Sequence, residues 1–261
     1  MPTFSVSELQ RALDREELFV LYQAQVDMRT GSLAGVECAI RWQHPEKGTL
    51  HAVPFVNDVP PSGLAPDFMR FIVRTTTRQV ARWRDASVLI PRYAINAWPG
   101  SIDRELLDDI LSTSREFHID PGMIEVESQP EATYDPPMCA RLQEFRAAGV
   151  RVALDDFGDG DLRYQWLRDA PFDVVKIGVP FARHAGRPYD DAVIAAAVAF
   201  AGAIGAVTVG EGVETPAIRD RLLRLGCDIG QGYLWSRQVP ASELPAVIAA
   251  IAASGAPEPK P

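Results

Sequence analysis

Val152–Gly160, Val-Ala-Leu-Asp-Asp-Phe-Gly-Asp-Gly, is the stretch from which the rest of the chain can be read. Three apolar residues run into two adjacent carboxylates, an aromatic and a glycine-spaced turn, the pattern of a buried strand that ends at a loop. Paired acids at a strand end are electrostatically costly, because like charges a few Å apart resist ionising together. A cation or a proton-transfer task accounts for such a pair. So does a helix N-cap followed by an acidic first turn. On Asp155 and Asp156 alone, both readings stand.

Working outward, the same strand-then-turn pattern recurs at Val88–Asn96, Met123–Ser128, Asp173–Gly178, Ala206–Val213 and Ile229–Trp235. Helical spacing separates these runs at Asp67–Arg84, Ile102–Phe117 (capped by Ser101), Pro137–Gly149, Leu162–Arg168, Asp190–Ile204 and Pro216–Leu225, and a last helix follows at Ser242–Ala253. Upstream, Leu18–Val26 and Leu33–Trp42 form a hairpin about Thr30-Gly31-Ser32, and Pro54–Leu64 reads as loop. Alternating strands and helices with short connections mean a parallel sheet with helices outside. About eight strands in some 250 residues match a TIM-type (β/α)8 barrel. The fold class is therefore α/β, a modified TIM-type barrel with an antiparallel first strand pair. Residues 1–253 form one domain, and 254–261 a Pro-rich disordered tail.

Composition narrows the function classes. The chain has 261 residues, 47% hydrophobic and 23% charged, which is ordinary for a globular protein. A formal net charge of −9 disfavours duplex nucleic acid, whose binding relies on basic surfaces. No apolar run approaches the roughly 20 residues of a membrane span, and the N-terminus lacks a signal-peptide pattern, so a cytoplasmic setting away from the membrane is expected. Cys38, Cys139 and Cys227 are too scattered for a disulfide framework, and His44, His51, His118 and His184 lack zinc-ligand spacing.

In a barrel of this type the strand C-termini converge on one mouth. Glu37, Asn96, Glu127, Asp155 with Asp156, Lys176, Glu211 and Gln231 each fall in or at the end of a different predicted strand. Gly35, Glu37, Ala39 and Arg41 share one face by the period-2 rule; that face holds a ligand or is the solvent side of an edge strand. Carboxylates with one amide oxygen suit hard divalent cations such as Mg²⁺ or Mn²⁺. Two such ions about 4 Å apart activate water and clamp a phosphoryl group. Dinucleotide-binding, EF-hand, P-loop and nucleophile-elbow patterns are incomplete or missing.

Over residues 17–247 the chain resembles the EAL domain family. The resemblance rests on Leu21-Tyr22-Gln23, Glu37-Cys38-Ala39-Ile40-Arg41-Trp42 with His44-Pro45, Asn96, Glu127, Asp155-Asp156-Phe157-Gly158, Lys176-Ile177, Glu211-Gly212-Val213-Glu214 and Gln231-Gly232-Tyr233-Leu234, in that order. It implies a phosphodiesterase that hydrolyses cyclic di-GMP to linear pGpG with two metal ions. Glu37, Asn96, Glu127 and Asp155 would hold the first metal, and Asp155 with Asp156 the second. Glu211 would position that metal or the attacking water. Lys176 would orient or deprotonate the water, acting as a base if burial or the metals depress its pKa. Gln23, Arg41, Gln231 and Tyr233 would contact substrate or steady the site. A homodimer through the barrel and a signalling protein partner also fall within what the resemblance implies.

Several positions depart from the family pattern. Glu-Ala-Leu is here Glu37-Cys38-Ala39, the usual Thr-Glu is Gln129-Pro130, Lys-Ile-Asp is Lys176-Ile177-Gly178, and Thr-Gly-Tyr-Ser-Ser is Asp159-Gly160-Asp161-Leu162-Arg163. Losses around metal ligands cost roughly 10–100-fold each in metal affinity or activity. The alternative implied is a degenerate domain that binds cyclic di-GMP as a receptor with little or no turnover.

Overall fold

The computed structural model describes residues 3–128, 135–158 and 171–254. Nine strands are present among them: β1 (Leu18–Asp27), β2 (Leu33–His44), β3 (Gly48–Leu50), β4 (Tyr93–Ala97), β5 (Ile124–Ser128), β6 (Arg151–Phe157), β7 (Val174–Ile177), β8 (Val207–Glu211) and β9 (Ile229–Gln231). They lie in the order β1-β9-β8-β7-β6-β5-β4-β2-β3, and pairing of β1 with β2 closes a barrel of eight strands. β3 stays outside the closure as a short hairpin partner of β2. β1 is antiparallel to both β2 and β9, while β2 and β4 through β9 run parallel. The predicted fold class, including the antiparallel first pair, is the observed one.

Parallel strands covered on the outside by helices are apolar on both faces, and the burial follows that rule. Outward-facing residues such as Val126, Val152, Leu154, Val175 and Ile177 pack into the main core beneath the helices. Inside the barrel, Ala153, Val174, Val209 and Ile229 form a separate small apolar cluster. Each of these four stands two residues before a polar one on the same strand: Asp155, Lys176, Glu211 and Gln231. Period-2 alternation thus stacks a polar layer at the C-terminal end directly on an apolar floor.

Local chemistry explains where elements begin and end, including where the sequence reading misses. Pro91 lacks an amide donor, and β4 starts only at Tyr93, five residues after the predicted start at Val88. The helix predicted from Ile102 begins at Arg104, because Asp103, not Ser101, accepts the Leu106 amide as its cap. Pro54–Leu64 is not plain loop: it holds two helical turns, Val53–Val56 and Val59–Ser62, that bury Phe55 and Val59. Helix Pro216–Leu225 matches its prediction, with Thr215 capping one end and Gly226, at φ 95°, the other. Helix Leu244–Ser254 closes the described chain. The predicted helix at Leu162–Arg168 and the tail from 255 onward lie outside the described residues.

Candidate functional site: an acidic mouth around a buried lysine

β7 places Lys176 at the centre of the barrel mouth, 1% exposed. Its Nζ lies 2.9 Å from Glu127 Oε2, 2.9 Å from Asp155 Oδ1, 2.8 Å from Glu211 Oε1 and 3.8 Å from Glu37 Oε1. Four strands other than β7 supply those carboxylates. One ammonium against four carboxylates leaves three negative charges in excess when all are ionised. Burial alone pulls the Lys176 pKa down, but Asp155, Glu127, Glu211 and Glu37 together hold it well above the usual lysine range. Lys176 is therefore a fixed cation in this arrangement.

The excess charge also acts on the acids. Burial pushes Glu127 well above the ordinary carboxylate range, helped by repulsion from Glu37, Asp155 and Glu125. Burial likewise pushes Glu211 up to about 8 against the attraction of Lys176. Glu37 moves the other way: Lys176, Gln231, Asn96 and Arg41 together outweigh its burial and lower it. Its Oε1 accepts a hydrogen bond from Asn96 Nδ2 at 3.1 Å, and its Oε2 accepts from Gln231 Nε2.

Two features suit a hard divalent cation. Glu127 Oε1 is fully buried and has no hydrogen-bond donor among the described residues, an orphan that a cation would satisfy. Asp155, Asp156 and Glu211 each offer a carboxylate oxygen, all within 4.8 Å of one another. Asp156 takes a left-handed backbone, φ 48°, which Asp tolerates better than most residues. Strain of this kind concentrates at functional sites. Gly178 lies beside it: a Cβ there would stand 3.3 Å from Asp156 Oδ1.

The predicted substrate contacts flank this centre in two adjoining cavities. One, of about 250 Å³, is lined by Gln23, Glu37, Asp155, Lys176, Glu211 and Tyr233 among others. The other, of about 400 Å³, lies between β2, β4 and the 51–56 segment, and Ala39, Arg41, Asn96, Trp98 and Gln238 line it. Gln23 accepts from Gln231 at 3.2 Å and donates to the Ser236 carbonyl at 3.0 Å. Arg41 is 4% exposed and donates to Gln238 Oε1 and, at 2.6 Å, to the Ile40 carbonyl. Tyr233 is 55% exposed at the rim, with the Arg237 guanidinium 4.4 Å from its ring centroid. All the predicted site residues therefore gather at one end of the barrel, with Arg41 and Tyr233 at its margins. Gln238, Ser236 and Arg183, which lines the smaller cavity and pairs with Glu214 at 2.7 Å, escape the sequence reading. No strand-end pattern marks them, because all three lie outside the strands.

Fold and site define a TIM-type barrel with a carboxylate-rich, cation-suited centre at its C-terminal mouth. Residues 6–238 match the family model of the EAL domain, and the chain belongs to that family. It is 30% identical over 244 residues to the cyclic di-GMP phosphodiesterase PA2567 of Pseudomonas aeruginosa, covering 92% of this chain and 41% of that protein. It is 32% identical over 243 residues to the cyclic di-GMP phosphodiesterase RocR of Pseudomonas aeruginosa, covering 90% of this chain and 61% of that protein. The chain thus spans about half the length of these two relatives. Among solved structures, the PaMucR phosphodiesterase in complex with c-di-GMP superposes with a TM-score of 0.85 at 28% identity, covering 92% of this chain and 98% of the other. The EAL domain of Mycobacterium smegmatis DcpA gives 0.75 at 29% identity, covering 89% and 98%. Among the described residues no helix is long and apolar enough to cross a membrane.

Proposed function

We propose that this chain is a metal-dependent phosphodiesterase that hydrolyses cyclic di-GMP to linear pGpG. The buried Glu127 oxygen, without a donor among the described residues and belonging to a group of four carboxylates that one ammonium cannot neutralise, carries the proposal. The cyclic di-GMP phosphodiesterases among its relatives, and the ligand in the PaMucR complex, support the choice of substrate.

Glu37, Asn96, Glu127 and Asp155 would hold one Mg²⁺ or Mn²⁺, and Asp155, Asp156 and Glu211 the second. When bound, the pair would supply Lewis-acid activation of water and charge neutralisation on the phosphodiester. The chain's own groups do the rest. Lys176 contributes a fixed positive charge and N–H donors at the centre of the mouth, orienting the attacking water. Glu37 is held by two side-chain amides, so its carboxylate does not turn during turnover. Gln23, Arg41 and Tyr233 line the two cavities as contacts for the nucleotide.

Purified chain incubated with cyclic di-GMP and Mn²⁺ or Mg²⁺ should release pGpG. No product at high enzyme concentration overturns the proposal. A second reading, a receptor that binds cyclic di-GMP with little turnover, is favoured by Gly178 standing against Asp156 where the family has a carboxylate. Calorimetry that finds tight binding without product would select it. The Pro130 replacement that also motivates it lies outside the described residues.

A further inference from the structure

A line of buried polar side chains leads from the acidic mouth down into the barrel. Gln25, Arg92 and Glu125 are 0%, 4% and 0% exposed. Arg92 Nη1 donates to Glu125 Oε2 at 2.9 Å, and Nη2 donates to Gln25 Oε1 at 2.9 Å. Gln25 Nε2 donates to Gln231 Oε1 at 2.9 Å. Gln231 Nε2 then donates to Gln23 Oε1 at 3.2 Å and to Glu37 Oε2.

The line has a direction. A guanidinium has donors only, whereas an amide has an acceptor end and a donor end. Arg92 therefore forces Gln25 to turn its oxygen downward and its NH₂ upward. Gln231 must then accept from below and donate above, toward Glu37. A chain of glutamines alone could run either way; a donor-only residue at its foot selects one. Filling space does not account for the arrangement, since on the neighbouring strands the floor beneath the mouth is apolar, built from Ala153, Val174, Val209 and Ile229. A buried ion pair is itself weak evidence for stability. The fold also makes room for it: a Cβ at Gly35 would come 2.6 Å from Arg92 Cγ.

We propose that Arg92, anchored by Glu125 and acting through Gln25, is a positioning residue that fixes the amide orientation of Gln231 and, through it, the Glu37 carboxylate as a cation ligand. The inference rests on the reading of Glu37 as such a ligand. Removing Arg92 would strand a buried Glu125, so the test is made at Gln25 in the full chain. Gln25→Glu keeps an acceptor for Arg92 but removes the donor to Gln231, whose oxygen then turns against Glu37. Gln25→Met removes both contacts without adding charge. Titration calorimetry with Mn²⁺ should show binding about 10–100-fold weaker in each folded variant, a change that a purely structural role would not produce. Affinity equal to or above wild type in either folded variant overturns the proposal. The wild-type chain provides an arm independent of cation, turnover and variant folding. In ¹⁵N-labelled protein the Gln231 side-chain amide protons should exchange slowly; exchange at the rate of a free side-chain amide overturns the proposal. Failure of the phosphodiesterase reading appears separately, as Mn²⁺ binding without product or as no Mn²⁺ binding at all.

Discussion

Lys176→Met tests how the mouth is held together. The substitution keeps the volume of the buried stem and deletes the ammonium that contacts Glu127, Asp155 and Glu211 at 2.8–2.9 Å. At an effective dielectric of about 20, a pair of unit charges at 4 Å is worth about 4 kcal/mol, and these contacts are closer. Desolvation of the lysine opposes that gain, so the net cost is that of breaking a buried pair, about 3–5 kcal/mol. Urea denaturation in EDTA should show a loss of that size. The same deletion removes a positive charge from the place where divalent cations are to bind, so Mn²⁺ should bind more tightly than in wild type. At a concentration 100 times its Kd, the ion should restore about 2.7 kcal/mol. Turnover, which needs the N–H donors, should nevertheless fall by about 10²–10³-fold, the cost of losing one preorganised donor. Tighter metal with slower chemistry is the signature expected. A loss below about 1 kcal/mol, the worth of an exposed pair, together with unchanged Mn²⁺ affinity would refute the reasoning.

Other outcomes follow from the same geometry. Glu37→Ala should abolish both Mn²⁺ binding by calorimetry and pGpG release, whereas a receptor that binds nucleotide without metal should keep its cyclic di-GMP affinity. Gly178→Asp should place a carboxylate beside Asp156 and raise both Mn²⁺ affinity and turnover, read by calorimetry and product chromatography; unchanged values would show that this position does not limit the site. Asp191 joins helices Pro188–Ile204 and Pro216–Leu225, accepting from Arg221 and from the Gly186 amide. The hydrogen bonds from Arg221 hold its carboxyl below the ordinary aspartate range. A depressed acid stabilises the fold above its unfolded pKa and loses that contribution as pH falls through its folded pKa. Asp191→Asn should therefore cost stability at pH 7, and the gap from wild type should close on acidification below about pH 4 in denaturant melts.

The barrel was legible because its parallel strands are short apolar runs separated by cappable helices, a pattern that survives errors at the ends. Those errors have local causes. Pro91 trims β4, and Asp103 captures a cap that Ser101 was expected to fill. The mouth was legible because acids at strand C-termini have no other reason to recur on successive strands. The line beneath it was not. Gln25 and Glu125 alternate with apolar neighbours, as residues on the solvent side of a half-buried strand also do, and only closure of the barrel turns that face inward. Arg92 falls inside the predicted Val88–Asn96 strand but just before the observed β4, and nothing in the sequence shows that Gly35 vacates the space that it fills. The state of Lys176 was equally hidden, since burial and four carboxylates act in opposite directions and only their distances decide the balance.

The most direct test of the central claim is chromatographic analysis of cyclic di-GMP incubated with the purified chain and Mn²⁺, with a parallel reaction in EDTA. The account predicts linear pGpG with the ion and none with the chelator. Intact cyclic di-GMP in both, at enzyme equimolar with substrate, would contradict it.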